Sequence, residues 1–315
     1  MSERDILWRA APLAPTRPDG SPWPRISIVT PSYNQGQFIE ETIRSVLLQG
    51  YPNLEYIIVD GGSTDSSVGI IKKYSDYLHH WVNERDSGHG NALNKGFERS
   101  TGEIMCWLNS DDMYLPWTFR IVADIFTSYP QVNWITGLNA WWSDHGVLTA
   151  ARRAPKNIYD YLLGNYAWIQ QESVFWRRSL WERAGGHINE NYRLMIDGEL
   201  WSRFFLQDSL FIVDCILSGY RVHSTNRAQK YLTDCQAEMI TIISDMRRDC
   251  ADSILRTADS LARVKLFKRM LPCQHLNPID QVARLVCRTL YARASYPLLS
   301  YRNGVWAQSR LPFSV

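Results

Sequence analysis

Residues 56–65 read YIIVDGGSTD, an apolar run that stops at a carboxylate and two glycines. A run that is apolar on both faces is typical of a strand buried inside a parallel sheet. The glycines break the chain, and a side chain among Ser63–Asp65 can cap a helix that we expect to run to about Tyr74. The segment therefore predicts a buried strand, a turn and a helix, with Asp60 at the carboxyl end of the strand.

The same order of elements extends from this segment in both directions. Apolar patterns and chain breakers predict strands at 26–30, 80–83 and 104–108, and helices at 38–49 and 91–99. Strands that alternate with helices predict an α/β fold, in which helices flank a mostly parallel sheet with right-handed crossovers. Ligands of such sheets bind outside the carboxyl ends of the strands, where Asp60 and Asp111-Asp112 fall.

The composition limits the class of protein. The 315 residues are 45% hydrophobic and 21% charged, which excludes disordered, collagen-like and coiled-coil chains. No apolar run approaches the roughly 18 residues that cross a bilayer, and the N-terminus lacks the pattern of a leader, so we expect a soluble cytoplasmic protein. The six cysteines form no CxxC pair and are expected to be buried thiols.

The two ends of the chain differ from its body. Residues 12–24 hold five prolines, which predicts an extended arm over 1–24. Residues 233–315 are predicted to form a helical, basic C-terminal extension, since residues 244–315 carry 12 Lys and Arg against 5 Asp. Such a tail can bind nucleic acid or an anionic membrane surface. A solvated helical face explains the charge equally well.

Asp111 and Asp112 are adjacent carboxylates, which are costly neighbours unless a cation or hydrogen-bond donors satisfy them. Mg²⁺ or Mn²⁺ takes few protein carboxylates and completes its shell with water and substrate phosphates, so the pair indicates a phosphate-bearing ligand. The alternative is a helix cap with a solvated neighbour. The chain has no GxGxxG motif after the first strand and no GxxxxGK[ST] motif, so the metal and the amides of Ser87–Gly90 would hold the phosphates.

Asp197 and Glu199 stand two residues apart before an apolar segment. A carboxylate that is desolvated beside aromatic side chains has a raised pKa and can act as a general base, although capping explains most such pairs. His223 is a candidate ligand for phosphate or metal, and a lone histidine is more often structural. Most of the 13 tryptophans are expected in the core.

Five motifs occur in a fixed order: SIVTPSYN at 27–34, IVDGGSTD at 58–65, NKG at 94–96, TGEI at 101–104 and LNSDD at 108–112. Over roughly residues 25–230 they closely resemble the family-2 glycosyltransferases of the GT-A fold. QESVFWRR at 171–178 and Gly185-Gly186 resemble bacterial polysaccharide-building members. The resemblance implies a Rossmann-like sheet with a nucleotide-sugar-binding half at 25–115 and an acceptor-binding half at 116–232.

The resemblance also implies roles for single residues. Asp60 would accept a hydrogen bond from the base edge, and Asp197 would be the catalytic base. The nucleoside wall would consist of Thr30, Pro31 and Tyr33. The metal and ribose contacts would be Asp111 and Asp112, with His223 as a further candidate metal ligand. The other expected substrate contacts are Gly88, Asn91, Lys95, Asn109, Ser110 and Glu199, of which Glu199 also competes with Asp197 for the role of base.

Three positions depart from the family's pattern. Asn109 stands where many members have the first Asp of Asp-x-Asp, which leaves open whether Asp111 or Asp112 holds the metal. Gly198 stands where an aromatic is frequent, so the base would be less enclosed. Asn91 stands where relatives often have Asp, a position expected to contact the donor sugar.

The resemblance, together with these residues, implies an inverting, metal-dependent glycosyltransferase. It would move a sugar from a nucleotide-diphosphate sugar, with UDP as the expected nucleotide, to a glycan or lipid-linked acceptor in bacterial polysaccharide biosynthesis, using Mg²⁺ or Mn²⁺. The alternatives are a non-catalytic nucleotide-sugar-binding subunit and a protein that binds nucleic acid through its tail. Nucleic acid is not expected as a partner. The basic, apolar segment Arg263–Arg269 predicts peripheral attachment to the inner face of the membrane.

Overall fold

The computed structural model describes residues 13–166, 169–224, 226, 230–270 and 288–313. The strands are β1 (Ile26–Ser32), β2 (Leu54–Asp60), β3 (His80–Asn83), β4 (Ile104–Trp107), β5 (Met113–Tyr114), β6 (Trp134–Thr136), β7 (Asn139–Trp142), β8 (Leu148–Arg152), β9 (Val174–Arg177), β10 (Phe211–Val213), β11 (Ser218–Arg221), β12 (Tyr296–Arg302) and β13 (Val305–Leu311). The helices are α1 (Ile39–Leu47), α2 (Ser67–Lys73), α3 (His89–Glu98), α4 (Thr118–Ser128), α5 (Ile158–Leu162), α6 (Arg178–Arg183), α7 (Ile196–Gln207), α8 (Leu232–Asp249), α9 (Asp252–Met270) and α10 (Arg288–Arg293), with short 3₁₀ helices at Ser75–Tyr77 and Gln171–Ser173.

A nine-stranded sheet runs through the centre of the molecule in the order β3-β2-β1-β4-β9-β6-β10-β12-β13. β1 is parallel to β2 and β4, and β2 is parallel to β3, whereas β9 is antiparallel to β4 and β6. Ser32, Asp60 and Asn83 pair across the first three strands, so the carboxyl ends of these strands meet at one edge. The predicted α/β fold with a mostly parallel central sheet is confirmed.

A second sheet of four strands, in the order β5-β11-β7-β8, stands beside this edge. β5 begins directly after Asp112 and pairs antiparallel with β11, with Gly219 opposite Met113. β11 also pairs with β7 in parallel. The second sheet therefore places the residues after β11 next to the loop after β4. The two segments are more than 100 positions apart in the chain.

Aromatic side chains fill the interior between the central sheet and α7. The rings of Trp107 at the end of β4 and Trp201 in α7 stack with centroids 5.6 Å apart and an interplanar angle of 13°. Trp176 in β9 packs edge-on against both, and Trp134 tilts against Trp201. These four tryptophans are buried, as the sequence predicts, whereas Trp168 lies outside the described residues.

The C-terminal region departs in part from the helical prediction. It contains α8, α9 and α10, but residues 296–311 form a hairpin whose first strand pairs with β10 and extends the central sheet. The turn Asn303-Gly304 has φ values of 51° and 84°, as a two-residue hairpin turn requires. Asn-Gly between apolar runs is the signal that sequence reasoning missed, because Pro297 suggested only a helix interruption.

The N-terminal arm is described from residue 13 onward. It is not extended throughout, because the Arg17 N–H donates to the Ser21 carbonyl and the chain turns back between Thr16 and Pro22. Trp23 is buried and packs edge-on against Tyr51, with ring centroids 5.8 Å apart. The arm therefore ends in an apolar anchor on the domain.

None of the helices in the described ranges has the length and apolar character needed to cross a membrane. Cys106, Cys235 and Cys250 are buried free thiols and Cys215 is partly buried; Cys273 and Cys287 lie outside the described residues. In the segment Arg263–Arg269, the side chains of the last two basic residues are also outside them.

Two helical glycines allow a matched test of the packing between α3 and β1. A Cβ at Gly96 would lie 2.3 Å from Cγ1 of Val29, whereas a Cβ at the exposed Gly69 of α2 meets nothing within 4 Å. We expect Gly96→Ala to lower the free energy of unfolding by about 1–3 kcal/mol, because the buried contact is overpacked. Gly69→Ala should raise it by about 0.5–1 kcal/mol through reduced backbone entropy of the unfolded chain. Urea unfolding measures both, and equal stability of Gly96→Ala and the wild type would contradict the packing.

Candidate active site

The Asp60 carboxylate organises the turn that follows β2. It is fully buried, and its Oδ1 accepts hydrogen bonds from the backbone N–H groups of Gly62 (3.2 Å) and Ser63 (2.8 Å). Its Oδ2 accepts from the hydroxyls of Ser32 (3.0 Å) and Ser63 (2.7 Å). Asp60 therefore ties β1 to β2 at the carboxyl edge of the sheet.

The three residues predicted to form a nucleoside wall are placed differently from one another. Thr30 and Pro31 are buried, and the Thr30 hydroxyl lies 3.1 Å from the hydroxyl of Tyr56 inside the core. Tyr33 is 61% exposed. Of the three, Tyr33 is therefore the one whose side chain is open to an incoming ligand.

Asp112 is a buried partner of β11. Its Oδ1 accepts a hydrogen bond of 2.8 Å from the backbone N–H of Arg221, and its Oδ2 accepts one of 3.4 Å from the Asn109 amide. Burial, reinforced by the charges of Asp111 and Glu172, raises the pKa of the Asp112 carboxyl well above its ordinary value. The carboxyl of Asp112 thus holds the loop to the second sheet.

Asp111 is the more accessible of the two carboxylates, and its side chain is 19% exposed. Its Oδ2 lies 3.0 Å from Nε2 of His223. The His223 ring packs against Phe38, with centroids 4.7 Å apart, and Nε2 also lies 3.0 Å from the Asn226 amide nitrogen. The fold thus brings together two of the candidate metal ligands, which are distant in the sequence.

Glu172 is a buried carboxyl that sequence reasoning did not single out as a site residue. Burial raises its pKa to about 8, and the charges of Asp111 and Asp197 act in the same direction. Its Oε1 and the Oδ1 of Asn109 are buried and accept no hydrogen bond among the described residues. The tripeptide QES at 171–173 contributes to the family resemblance, but a Gln-Glu pair by itself does not predict a buried carboxyl group.

Asp197 lies in the first turn of α7 and is partly buried. Its Oδ1 accepts a hydrogen bond of 2.8 Å from the N–H of Gly198. Desolvation raises the pKa of Asp197 to about 6, and the charge of Glu238 contributes to the rise. No Lys, Arg or His among the described residues forms an ion pair with it, so no cation of that part of the chain neutralises its carboxylate.

Glu199 has a different environment, although it is only two residues away. Its two carboxylate oxygens accept hydrogen bonds of 2.9 Å and 2.7 Å from Nε and an Nη of Arg203. The pair is mostly buried. Glu199 thus forms an i,i+4 salt bridge with Arg203 along α7.

The start of α3, expected to receive phosphates, is already lined by carboxylates. Gly88 has a φ of 130°, and its N–H donates to Asp86. Glu190 accepts hydrogen bonds from the amides of Asn91 and Asn94. Lys95 forms a salt bridge of 2.7 Å with Glu84. The Ser87 N–H donates to Asn91 Oδ1, so the amides of Ser87 and Gly88 both have acceptors within the protein. Ser110, between Asn109 and Asp111, is buried.

Comparison with known proteins places this site in a family. The family model described as Glycosyl transferase family 2 matches residues 27–138. An uncharacterized glycosyltransferase of Rickettsia typhi is 40% identical over 224 residues, which cover 68% of this chain and 70% of the relative. The chain belongs to glycosyltransferase family 2. The family resemblance seen in the motifs is confirmed, and membership of this family supports transferase activity of the glycosyltransferase class.

Other proteins are similar to this family-2 chain over a shorter stretch or in their fold. A teichuronic acid biosynthesis glycosyltransferase of Bacillus subtilis, TuaG, is 42% identical over 94 residues, covering 29% of this chain and 37% of the relative. TarS of S. aureus, residues 1–349 in complex with UDP-GlcNAc, has a TM-score of 0.60 at 16% identity, covering 86% of this chain and 79% of that 1–349 chain. The mannosyltransferase PcManGT of Pyrobaculum calidifontis, in complex with GDP-Man and Mn²⁺, has a TM-score of 0.57 at 19% identity, covering 93% and 80%. These structures confirm the predicted GT-A fold.

The family-2 site offers few protein ligands to a divalent cation. Within the described ranges, no group of three or more His, Cys, Asp or Glu side chains is placed to hold a metal ion. Asp111 and His223 nevertheless supply two ligands at one place, which suits a cation that takes its remaining ligands from phosphate and water. The buried, unpaired Oδ1 of Asn109 and Oε1 of Glu172 add acceptor oxygens without donors, so the residues fit a cation.

The two adjacent aspartates are expected to differ in their effect on stability. Asp112→Ala should lower the free energy of unfolding by about 1–3 kcal/mol, because the buried N–H of Arg221 loses its acceptor. Asp111→Ala should lower it less, because removing a charge near Asp112 and Glu172 offsets the lost contact with the buried His223 ring. Urea unfolding in EDTA measures both, and equal destabilisation by the two substitutions would show that Asp112 has no special structural role.

Proposed function

We propose that this protein is an inverting glycosyltransferase that transfers a sugar from a UDP-sugar to an acceptor hydroxyl, with Asp197 as the general base. The observation that carries the proposal is the contrast between two nearby carboxylates. Asp197 is desolvated, has its pKa raised to about 6 and lacks an ion-pair partner among the described residues, whereas Glu199 is paired with Arg203. A base with a pKa near the working pH is both ionised and basic enough to take a proton.

The proposed reaction is a single displacement. The Asp197 carboxylate takes the proton of the acceptor hydroxyl as its oxygen attacks the anomeric carbon of the donor. The bond between that carbon and the diphosphate oxygen breaks, and UDP leaves with the bonding electron pair. Attack from the face opposite the diphosphate inverts the anomeric configuration, and no covalent sugar-enzyme intermediate forms.

Mg²⁺ or Mn²⁺ is the proposed cofactor. When bound, the cation neutralises charge on the diphosphate leaving group. Asp111 and His223 are its proposed ligands, since Asp112 is engaged with the backbone of β11. The Mn²⁺ complex of the similarly folded PcManGT supports the use of a divalent cation.

The donor is proposed to bind at the carboxyl edge of β1, β2 and β4, in the half at 25–115. Tyr33 would stack on the base, and Asp60 would orient it through the turn that it holds together. The UDP-GlcNAc complex of TarS, which shares the fold, supports a UDP-sugar. The other proposed donor contacts are Asn91, Lys95 and Asn109. Thr30, Pro31 and Ser110, expected from the sequence to contact the donor, are buried, and the Gly88 N–H already donates to Asp86.

The acceptor is proposed to be a glycan or a lipid-linked sugar, bound by the half at 116–232. The similarity to TuaG, whose description names teichuronic acid biosynthesis, supports an acceptor from polysaccharide biosynthesis. Attachment to the inner face of the membrane through the segment Arg263–Arg269 stays a prediction. The exposed Leu266 and Phe267 support it, since they stand beside basic residues on α9.

The general-base proposal predicts a loss of turnover without a loss of donor binding. Asp197→Asn keeps the shape of the side chain but removes the proton acceptor, and we expect transfer to fall about 10²- to 10⁴-fold. Calorimetry should show unchanged UDP affinity, whereas Asp60→Ala should weaken UDP binding. Near-normal transfer by Asp197→Asn, with the UDP-sugar selected by a screen of nucleotide sugars, would remove Asp197 from the mechanism.

The metal proposal predicts that UDP affinity depends on the cation. Calorimetry should show binding in Mn²⁺ that is weaker in EDTA on the order of tenfold or more, a loss of about 1.4 kcal/mol or more. Asp111→Asn should abolish most of this difference while the protein stays folded. The matched control is Asp214→Asn, which removes a carboxylate that pairs with Arg153 in another part of the molecule and should keep the full Mn²⁺ effect. Equal UDP affinity with and without Mn²⁺ in the wild type would refute the proposal.

A further inference from the structure

Helix α8 of the C-terminal extension packs along α7, the helix that carries Asp197. Glu238 of α8 accepts hydrogen bonds from three successive backbone N–H groups, those of Arg193 (3.0 Å), Leu194 (3.0 Å) and Met195 (2.8 Å). These residues immediately precede α7. The N-cap residue Met195 provides no side-chain cap, so a carboxylate from another helix takes this function.

The residue next to Glu238 explains the unusual glycine beside Asp197. Met239 is fully buried, and a Cβ at Gly198 would lie 2.6 Å from its sulfur atom. The space in which the family resemblance leads one to expect an aromatic side chain at position 198 is therefore filled by Met239. The C-terminal extension therefore encloses Asp197 on the side where Gly198 has no side chain.

The loop before α7 is held at its other end as well. Asn94 of α3 accepts a hydrogen bond of 2.8 Å from the N–H of Ile188 and donates one of 3.0 Å to its carbonyl. The segment between Ile188 and Met195 is thus fixed by the nucleotide-binding half at its start and by α8 at its end. Asp197 follows two residues after the second attachment.

We propose that Glu238 is a positioning residue that sets the place of the Asp197 carboxylate, and that α8 thereby completes the acceptor side of the active site. The inference rests on the proposed role of Asp197 as the base. Glu238 would act through the backbone of residues 193–195 and would not contact the substrate. A shift of about 1 Å in a reacting group can cost 10²-fold in rate, so a support of this kind bears directly on turnover.

The groups that face Asp197 come from several elements. They are Glu172 of the 3₁₀ helix at 171–173, Tyr161 of α5, and Cys235 and Glu238 of α8. The negative charge of Glu238 raises the pKa of Asp197. Removing that charge while keeping the size of the side chain should lower the pKa of Asp197 and move the acid limb of activity to lower pH.

The test compares three variants of the full chain. Glu238→Gln removes the charge and one acceptor oxygen, Glu238→Asp keeps the charge but shortens the reach, and Asp234→Asn makes the same charge change one turn earlier on the exposed face of α8. Hydrogen exchange measured by mass spectrometry reports on the backbone of residues 188–199 without any ligand. The pH profile of kcat is then recorded with the UDP-sugar chosen by the screen.

We expect hydrogen exchange at residues 188–199 to be faster than in the wild type in both Glu238 variants. In Asp234→Asn the exchange rate of these residues should equal that of the wild type. Turnover should fall about 10- to 100-fold with little change in KM for the donor. The acid limb should move to lower pH in Glu238→Gln and stay in place in Glu238→Asp, which a purely structural role would not produce.

Two results would overturn the inference. Unchanged exchange at residues 188–199 in Glu238→Gln would show that the carboxylate does not hold the loop, whatever the activity. Faster exchange with wild-type kcat and an unmoved acid limb would leave Glu238 a stabilising contact only. A fully active Asp197→Asn would instead refute the base itself, so failure of the proposed function is distinguished from failure of this inference.

Discussion

Several carboxyl groups lie within electrostatic reach of one another in a poorly solvated place, and the rest of the active site is built around this constraint. Asp111, Asp112, Glu172 and Asp197 come from three separate segments of the chain, and the pKa of each of the last three is raised by burial. Charged groups that share a site oppose one another's ionisation. The cluster is therefore suited to receive positive charge from a cation and protons from a substrate.

The scaffold separates these groups by role through their hydrogen bonds. Asp112 binds the backbone of Arg221 and fastens the loop after β4 to the second sheet. Asp111, its neighbour, is turned to His223 and remains partly open. Glu199 is paired with Arg203, whereas Asp197, the proposed base, has no ion-pair partner among the described residues.

Aromatic packing links the two halves of the site. Trp107 precedes the Asn109–Asp112 loop by two residues, and Trp201 lies one turn after Asp197 in α7, so their stacked rings couple the proposed metal loop to the proposed base. Met239 of α8 also packs against Gly198 of α7. The position of α7 is thus determined jointly by the tryptophans of the core and by the C-terminal extension.

The sequence by itself determined the α/β order of elements, the family and the loops at the strand ends, because these depend on apolar runs, glycines and polar residues that are close together in the chain. It left Asp111 and Asp112 equivalent, and it could not separate Asp197 from Glu199, because both pairs look alike locally. The hydrogen bonds of Asp112 to β11 and of Glu199 to Arg203 distinguish them only in the folded chain. Glu172 and Glu238 could not be predicted as site residues for the same reason. Their roles depend on burial and on contacts made by tertiary packing, which local sequence patterns do not report.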